Sequence, residues 1–593
     1  MGFLSRSALL PLGFGLLAIA SPLAGNNEAG ILVKRQDGSY SCKCYEGDEC
    51  WPSEEAWSEL STAVGDRLHK VVPVAAVCYN EFEGTATYDA AKCADVTANY
   101  NSEQWQTDQQ VSLLWNYWTN VTCPPTDTPE ASCTLGYSPE YVIMAETTDD
   151  IKAGIDFARE NNIRLLIRNT GHDFLGRSTG YGALAINTHS FKDVEFIKKY
   201  TSADGSYEGR AVKIGAGVQA RDLYTLANKQ KPAQVVVGGE CPTVGLAGGY
   251  VQGGGHGPLS TVYGMAADQA LEFEVITADG EYVTANGAEN SDLFWALKGG
   301  GPSTFAAVLS VTLKTFNDAK AAGFIMNLND THTTDQDLFW KGVEIFHSYS
   351  NHWIENGMMV YWEIMNGNIF RVHPAVAPGI NKTQLGKLAQ PVLDELDAAG
   401  VPYDFAIKDF KSFYDLYIDM FEDEPVPQSA LVGGRIFAKT DIEAHNKEIV
   451  QGYRTGFAGG AMFYIGHVMG PGEGNPDADN AIHPTWRQAS TFTISSLTVP
   501  AGASQAEKAE LQDYLTNVAD AALRDASPDG AAYVNEGNLE EPNWQEAFWG
   551  SKYARLKELK EKWDPGHVFY ARTTPGTEDW EVIDDNTRLC KKV

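Results

Sequence analysis

The sequence predicts an α+β chain whose middle part is built on an antiparallel sheet flanked by helices. Three observations predict it. With 593 residues the chain is long enough for more than one core. Residues 141–168 read as strand, helix and strand, and run directly into a glycine turn. From about Phe324 the pattern changes to longer strands carrying aromatics, with helices between them.

Composition narrows the function classes. Formal net charge is −33, from 45 Lys and Arg against 78 Asp and Glu, and no Lys/Arg-rich run is present, so nucleic acid is excluded as a partner. With 43% hydrophobic residues, 57 Gly and 14 Trp, the chain is globular and enzyme-sized.

Residues 1–20 read as a secretory signal. Arg6 precedes an apolar stretch that ends in the small-residue pattern Ala18-Ile19-Ala20. No later stretch approaches the roughly 20 apolar residues of a membrane span, so a secreted protein without a membrane partner is expected. Lys34-Arg35 is either a pro-segment cleavage point or a solvated surface pair. Of the nine cysteines, seven lie in an arm over 36–136, Cys590 stands near the end and Cys241 sits alone in a glycine-rich run. In an oxidising compartment the eight outer cysteines can form four bridges, which leaves Cys241 over. Pairing Cys590 to the arm would tie the two ends of the chain together. Sequons at Asn120, Asn329 and Asn381 agree with a glycosylating pathway.

In chain order, 141–146 is a strand, Thr147 to Asp150 offer caps and first-turn acids, and 164–168 is a second strand. Strands follow at 182–187 and 211–217, then a helix from Ala220 and the apolar Val235-Val236-Val237. A hairpin joins 271–278 to 281–285 through the two-residue turn Asp279-Gly280. Ser291 caps a helix that ends at Gly299. Strands are expected at 358–365, 369–373, 431–437, 461–469 and 490–498, with a Thr383-capped helix running to Ala399. A last helix over 551–563 stops at Asp564-Pro565-Gly566.

Glycine clusters allow backbone amides to approach a ligand closely. Two loops here are built that way, and neither is a P-loop or a dinucleotide fingerprint. They read Arg168-Asn169-Thr170-Gly171-His172-Asp173-Phe174-Leu175-Gly176 and Gly239-Glu240-Cys241-Pro242-Thr243-Val244-Gly245, the second running on to Gly257.

On these motifs the chain resembles the berberine-bridge-enzyme-like group of secreted FAD-linked oxidases in the vanillyl-alcohol-oxidase fold family. The similarity covers about 137–313 and returns at Tyr533-Val534-Asn535 and from Trp549 to Pro565. It implies a two-part PCMH-type FAD-binding domain, formed by 137–318 with 499–593 and including a berberine-like tail at about 531–575, around a substrate domain at 319–498. It also implies covalent FAD, held by His172 at the 8α-methyl group and by Cys241 at C6. An imidazole beside a glycine turn and a thiol outside the disulfide count are the two side chains able to add to an electrophilic flavin.

Val244 falls at the oxygen-gatekeeper position of that family, and valine there matches members that admit O₂. Gly217, Gly245, Gly248, Gly249, Gly253, Gly254 and Val308 would cradle the cofactor, with Asp268 and Asn535 as polar contacts. His256 reads as structural, and Arg487 as support for the junction of sheet and flavin. Tyr361, Glu363, Tyr464, His467 and Tyr533 are the candidates for the catalytic base, and the sequence does not choose among them. The expected protein is a monomeric oxidase, without metal, that passes hydride from a small-molecule alcohol to flavin and on to O₂. A dehydrogenase, an oxidative cyclase of specialised metabolism and a non-catalytic ligand-binding flavoprotein are the alternatives.

Overall fold

The structure is a computed structural model that describes residues 40–593 apart from 330, 425, 461 and 472–478. The signal over 1–20 and the Lys34-Arg35 pair lie outside the described residues. Two sheets make the first half. In one, the parallel strands Tyr141–Met144, Leu184–Asn187 and Leu165–Arg168 lie side by side in that order, and Leu68–Lys70 of the arm pairs antiparallel at the edge. The strand–helix–strand unit forms as expected, and Leu184–Asn187 then slots between its two strands. Its helix, Thr148–Glu160, begins with a capping box between Thr147 and Asp150.

The second sheet is antiparallel, in the order Tyr282–Asn286, Ala270–Thr277, Ala306–Lys314, Glu208–Gly215 and Val194–Thr201. Its hairpin differs from the expected two-residue turn. Ile276 pairs with Tyr282 and Thr277 donates to Glu281, so 278–280 form a three-residue loop. Gly280 supplies the left-handed residue of that loop at φ +77°. The helix Ser291–Leu297 follows, but Ser291 is its first residue. Asn290 precedes it in the left-handed region without a side-chain cap.

Seven antiparallel strands between Ala321 and Thr498 form the middle sheet, in the order Asp404–Phe410, Ala321–Leu328, Ile369–Pro378, Met359–Met365, Met462–Val468, Ala489–Thr498 and Ala430–Ala438. The twofold alternation of strand side chains divides them between two cores. Val360, Trp362, Ile364 and Tyr464 pack in the core shared with the helices Gln336–Ser348 and Lys439–Gly456. Met359, Tyr361, Ile465 and Phe492 pack in the core shared with the first half. The helix Lys382–Ala398 is capped by Asn381, which accepts from Gln384 N, rather than by Thr383.

The C-terminal segment is divided in a way the boundary at 499 does not capture. Leu515, Ala519 and Leu523 join the core of the middle sheet, whereas residues from Ala531 to Leu559 join that of the first half. The strand Arg588–Lys592 pairs with Tyr40–Cys42, and the disulfide Cys42–Cys590 locks the two ends. Cys44–Cys50, Cys78–Cys93 and Cys123–Cys133 are the other bridges, and Cys241 is free. No helix among the described residues is long and apolar enough to cross a membrane.

Candidate active site

A cavity opens where the turn after Leu165–Arg168, the loop 241–252, the strand Ala306–Lys314 and the tail at Asn535 and Glu536 meet. Asn169, Thr170, Gly171, His172 and Asp173 line one wall; Cys241, Val244, Gly245, Gly248 and Gly249 line another; Val308 and Asn535 complete it. Missing side chains make room for two amides. A Cβ on Gly245 would stand 2.4 Å from Asn169 Nδ2, and one on Gly253 2.1 Å from Asn535 Oδ1. Asn169 Nδ2 donates to Ala216 O at 2.5 Å, and Asn535 Nδ2 donates to Gly249 O and Tyr533 Oη, both at 3.0 Å. Their amide oxygens, and that of Gln252, are buried without a partner among the described residues. Ser303, also on the wall, is held at φ +53°, a strained region for a residue with a side chain.

His172 and Cys241 line this one cavity, and each has a carboxylate beside it. His172 Nε2 lies 2.6 Å from Thr243 Oγ1 and 3.4 Å from Glu103 Oε1. Thr243 Oγ1 donates to Glu103 at 2.5 Å. Burial works to raise the Glu103 carboxyl, but the hydrogen bonds and charge from His172 and Thr243 outweigh it and hold the group below the ordinary carboxylate range. Cys241 Sγ donates to Glu424 Oε1 at 3.2 Å. Burial, then Glu424, Glu240 and Glu103, push the thiol well above its ordinary value. Burial also carries the Glu424 carboxyl up to about 7, with Glu103 and Glu240 adding to it and the thiol hydrogen bond opposing.

The middle sheet presents a polar cluster to the Cys241 loop. His467 Nε2 bonds Glu240 Oε1 at 2.8 Å, and Glu240 Oε2 has no partner among the described residues. Tyr361 Oη donates to Glu363 Oε1 at 3.2 Å, and Glu363 pairs with Arg371. Burial, followed by Glu363, Glu240, Glu424 and Cys241, drives the Tyr361 phenol well above its usual value. His256 Nε2 lies 3.0 Å from Glu536 Oε2, and its ring centre is 4.8 Å from that of His467. Burial lowers His256, but Glu536 prevails and raises it.

Several predicted site residues stand elsewhere. Tyr464 is three positions from His467 on the same strand, so it faces the helices and packs against Tyr453 and Phe457. Tyr533 lies under the glycine run, where its hydroxyl accepts from Gly255 N at 3.1 Å and from Asn535. The Asp268 carboxylate is occupied by both guanidinium nitrogens of Arg487 at 2.7 Å, by Asn480 and by Met265 N, outside the cavity. Arg168 is fully buried and donates to the carbonyls of Gln106, Thr107, Ser112 and Asn169. Gly176 is required by Trp118, 2.5 Å from where a Cβ would stand, and Gly217 by His189 O, 2.1 Å away. Gly253 makes space for Asn535, and Gly254 turns the chain at φ +124°.

Glu103, Thr243, Glu240, Glu424 and Glu536 were not among the predicted site residues. Glu240 and Thr243 flank Cys241 inside the glycine loop, and an acid next to a thiol was a usable signal. Glu103, Glu424 and Glu536 come from remote segments without any local pattern.

The FAD binding domain family matches residues 139–286, and the family described as berberine and berberine like matches 532–574. The chain is 37% identical to the FAD-linked oxidoreductase ZEB1 of Gibberella zeae, over 99% of both proteins. The crystal structure of the VAO-type flavoprotein MtVAO615 from Myceliophthora thermophila C1 superposes with a TM-score of 0.85 at 33% identity, covering 93% of this chain and 100% of that one. Glucooligosaccharide oxidase of Acremonium strictum, described with a 6-S-cysteinyl, 8α-N1-histidyl FAD, shares the fold at 18% identity and a TM-score of 0.58, over 74% of this chain and 92% of its own. The residues of the cavity fit an FAD: side-chain-free backbone for close approach, and unpartnered amide oxygens ready to accept from hydroxyl and ring N–H groups.

Proposed function

The chain belongs to the FAD-linked oxidoreductases of the vanillyl-alcohol-oxidase type with a berberine-like C-terminal segment, and from that premise we propose that it oxidises a small-molecule alcohol at a flavin tethered through both His172 and Cys241, with O₂ as the final acceptor. One observation carries this reading: both attachment side chains line one cavity, and Cys241 is the cysteine left outside the four disulfides. The disulfides also support a secreted protein, in line with the signal read at the N-terminus.

FAD, when bound, supplies the two-electron acceptor for hydride from the substrate carbon. The polypeptide must then take the hydroxyl proton. Tyr464 faces the wrong core, Tyr533 is fixed beneath the glycine run, Glu363 is neutralised by Arg371, and Tyr361 is held as the neutral phenol. The Glu240–His467 pair is left. Glu240 is the more open partner, its side chain 15% exposed against 2% for His467. Since a carboxylate only accepts, His467 donates from Nε2 and fixes Oε1, and the Glu240 carboxylate so oriented is the group that receives the proton. Tyr361, on the same side of the sheet, keeps its O–H on Glu363 and has its oxygen lone pairs left to position the substrate. Val244 lines the cavity, and a side chain of this size would leave room for O₂ beside the bound cofactor.

Anaerobic addition of candidate alcohols and oligosaccharides should bleach the flavin absorbance, and air should restore it with one H₂O₂ per turnover. Acid-precipitated protein should remain yellow. A substrate-reduced flavin that air does not reoxidise would assign a dehydrogenase instead.

A further inference from the structure

We propose that Glu103, carried by the cysteine-rich arm, prepares His172 for attachment to the flavin by fixing its imidazole with the proton on Nε2 and the lone pair on Nδ1. The inference rests on the doubly tethered flavin proposed above. It follows from counting protons along three atoms. Glu103 is a buried carboxylate and can only accept, so the single hydroxyl proton of Thr243 is directed to it across 2.5 Å. The Thr243 oxygen then has only lone pairs to offer His172 Nε2 at 2.6 Å, so that nitrogen is the N–H donor. Nδ1 is left as the nucleophile on a side chain that lines the cavity.

The arm is built to hold this geometry. Glu103 opens the helix Glu103–Asp108, whose Ser102 cap accepts from Trp105 N at 3.4 Å. Arg168, at the root of the turn that carries His172, donates to the carbonyls of Gln106 and Thr107 in that helix, at 3.2 and 2.9 Å. The helix and the turn are therefore joined directly. Through its second oxygen Glu103 also accepts from Glu424 N at 3.4 Å, which connects it to the segment bonded to Cys241. Glu103 lies outside both matched family segments, 139–286 and 532–574.

The chemistry balances as follows. A bond forms from His172 Nδ1 to the flavin 8α carbon. One C–H bond of the methyl group breaks, its proton leaves, and its electron pair passes through the ring to O₂. The Nε2 proton departs through Thr243 toward Glu103, and the two protons and two electrons leave as H₂O₂. Glu103 is thus a positioning residue whose negative charge also balances the positive charge developing on the imidazole.

The test uses full-length protein made under riboflavin limitation and then given FAD in air, with attachment followed by peptide mass spectrometry at His172 and at Cys241 separately. E103Q and T243V should slow modification of the His172 peptide by about tenfold or more, as expected when an imidazole loses the partner that sets its tautomer. The Cys241 peptide should still acquire flavin in both, which shows that the variants fold and bind the cofactor. T243S, which keeps the hydroxyl, should restore the parent rate. Modification of His172 at the parent rate in both E103Q and T243V would overturn this inference and leave the tethered-flavin reading intact. A bare His172 peptide in the parent protein would overturn both. If E103Q does not fold, T243V alone decides, because it replaces a hydroxyl by a methyl group of similar size.

Discussion

Glu240 and His467 meet at 2.8 Å, Oε1 to Nε2, and so join the residue before the free cysteine to the strand Met462–Val468, which pairs with the strand that carries Tyr361. If this pair takes the substrate proton, E240Q should lower the anaerobic flavin-bleaching rate by about 10²–10⁴-fold. Flavin content should be unchanged. H467A should cost less, because the carboxylate persists without its fixed orientation. A bleaching rate in E240Q within a few-fold of the parent would remove Glu240 from the chemistry.

Tyr361 is expected to position the substrate without ionising, its hydroxyl proton held by Glu363. Its phenol is raised by burial and by four neighbouring acidic groups, so it stays protonated throughout the ordinary assay range. Y361F should therefore raise KM or lower kcat about tenfold without moving any limb of the pH–rate profile. Loss of an alkaline limb in Y361F would show that the phenol ionises in the cycle.

Lys560 and Asp564 form a fully buried ion pair at 2.7 Å, and Lys560 also donates to the carbonyls of Thr304 and Phe569. These bonds fasten the helix Tyr553–Trp563 to the turn at Thr304, just before the strand Ala306–Lys314, and to the segment that follows the helix. K560M leaves Asp564 as an unpaired buried charge and should cost about 3–5 kcal/mol in denaturant unfolding. The double change K560M/D564L should recover a substantial part of that loss.

Glu541 is 4% exposed, and its carboxyl is carried up to about 7, first by burial and then by Asp520, against the pull of Arg524. The folded state therefore keeps this proton to higher pH than the unfolded chain does. Stability falls as pH rises from about 4.5 to 7, by up to roughly 3 kcal/mol for a shift of this size. E541Q should flatten that part of the stability–pH curve. An unchanged slope would assign the dependence to other groups.

Local signals served the elements better than their ends. The capping box at Thr147 and Asp150 and the stop at Asp564-Pro565 were legible because both depend on residues within a few positions. The hairpin turn was not, because Asp279-Gly280 suits a two-residue loop and a three-residue loop equally until the Ile276–Tyr282 register is known. Asn381 displaced Thr383 as a cap by one turn-setting hydrogen bond. Tyr464 and His467 looked equivalent as residues of one strand. Only the packing of helices on one face and the glycine loop on the other separated them.

The sequence by itself determined that one cysteine remains outside four bridges, that two glycine loops carry a histidine and that cysteine, and that an aromatic antiparallel sheet follows. Those properties are read from residue type and spacing along a few neighbouring positions. Tertiary structure decided which carboxylates attend the two attachment residues. Glu103 reaches His172 from 69 positions away and Glu424 reaches Cys241 from 183. Such contacts are made by the closing of distant segments around a shared cavity, and no periodicity in the chain encodes them.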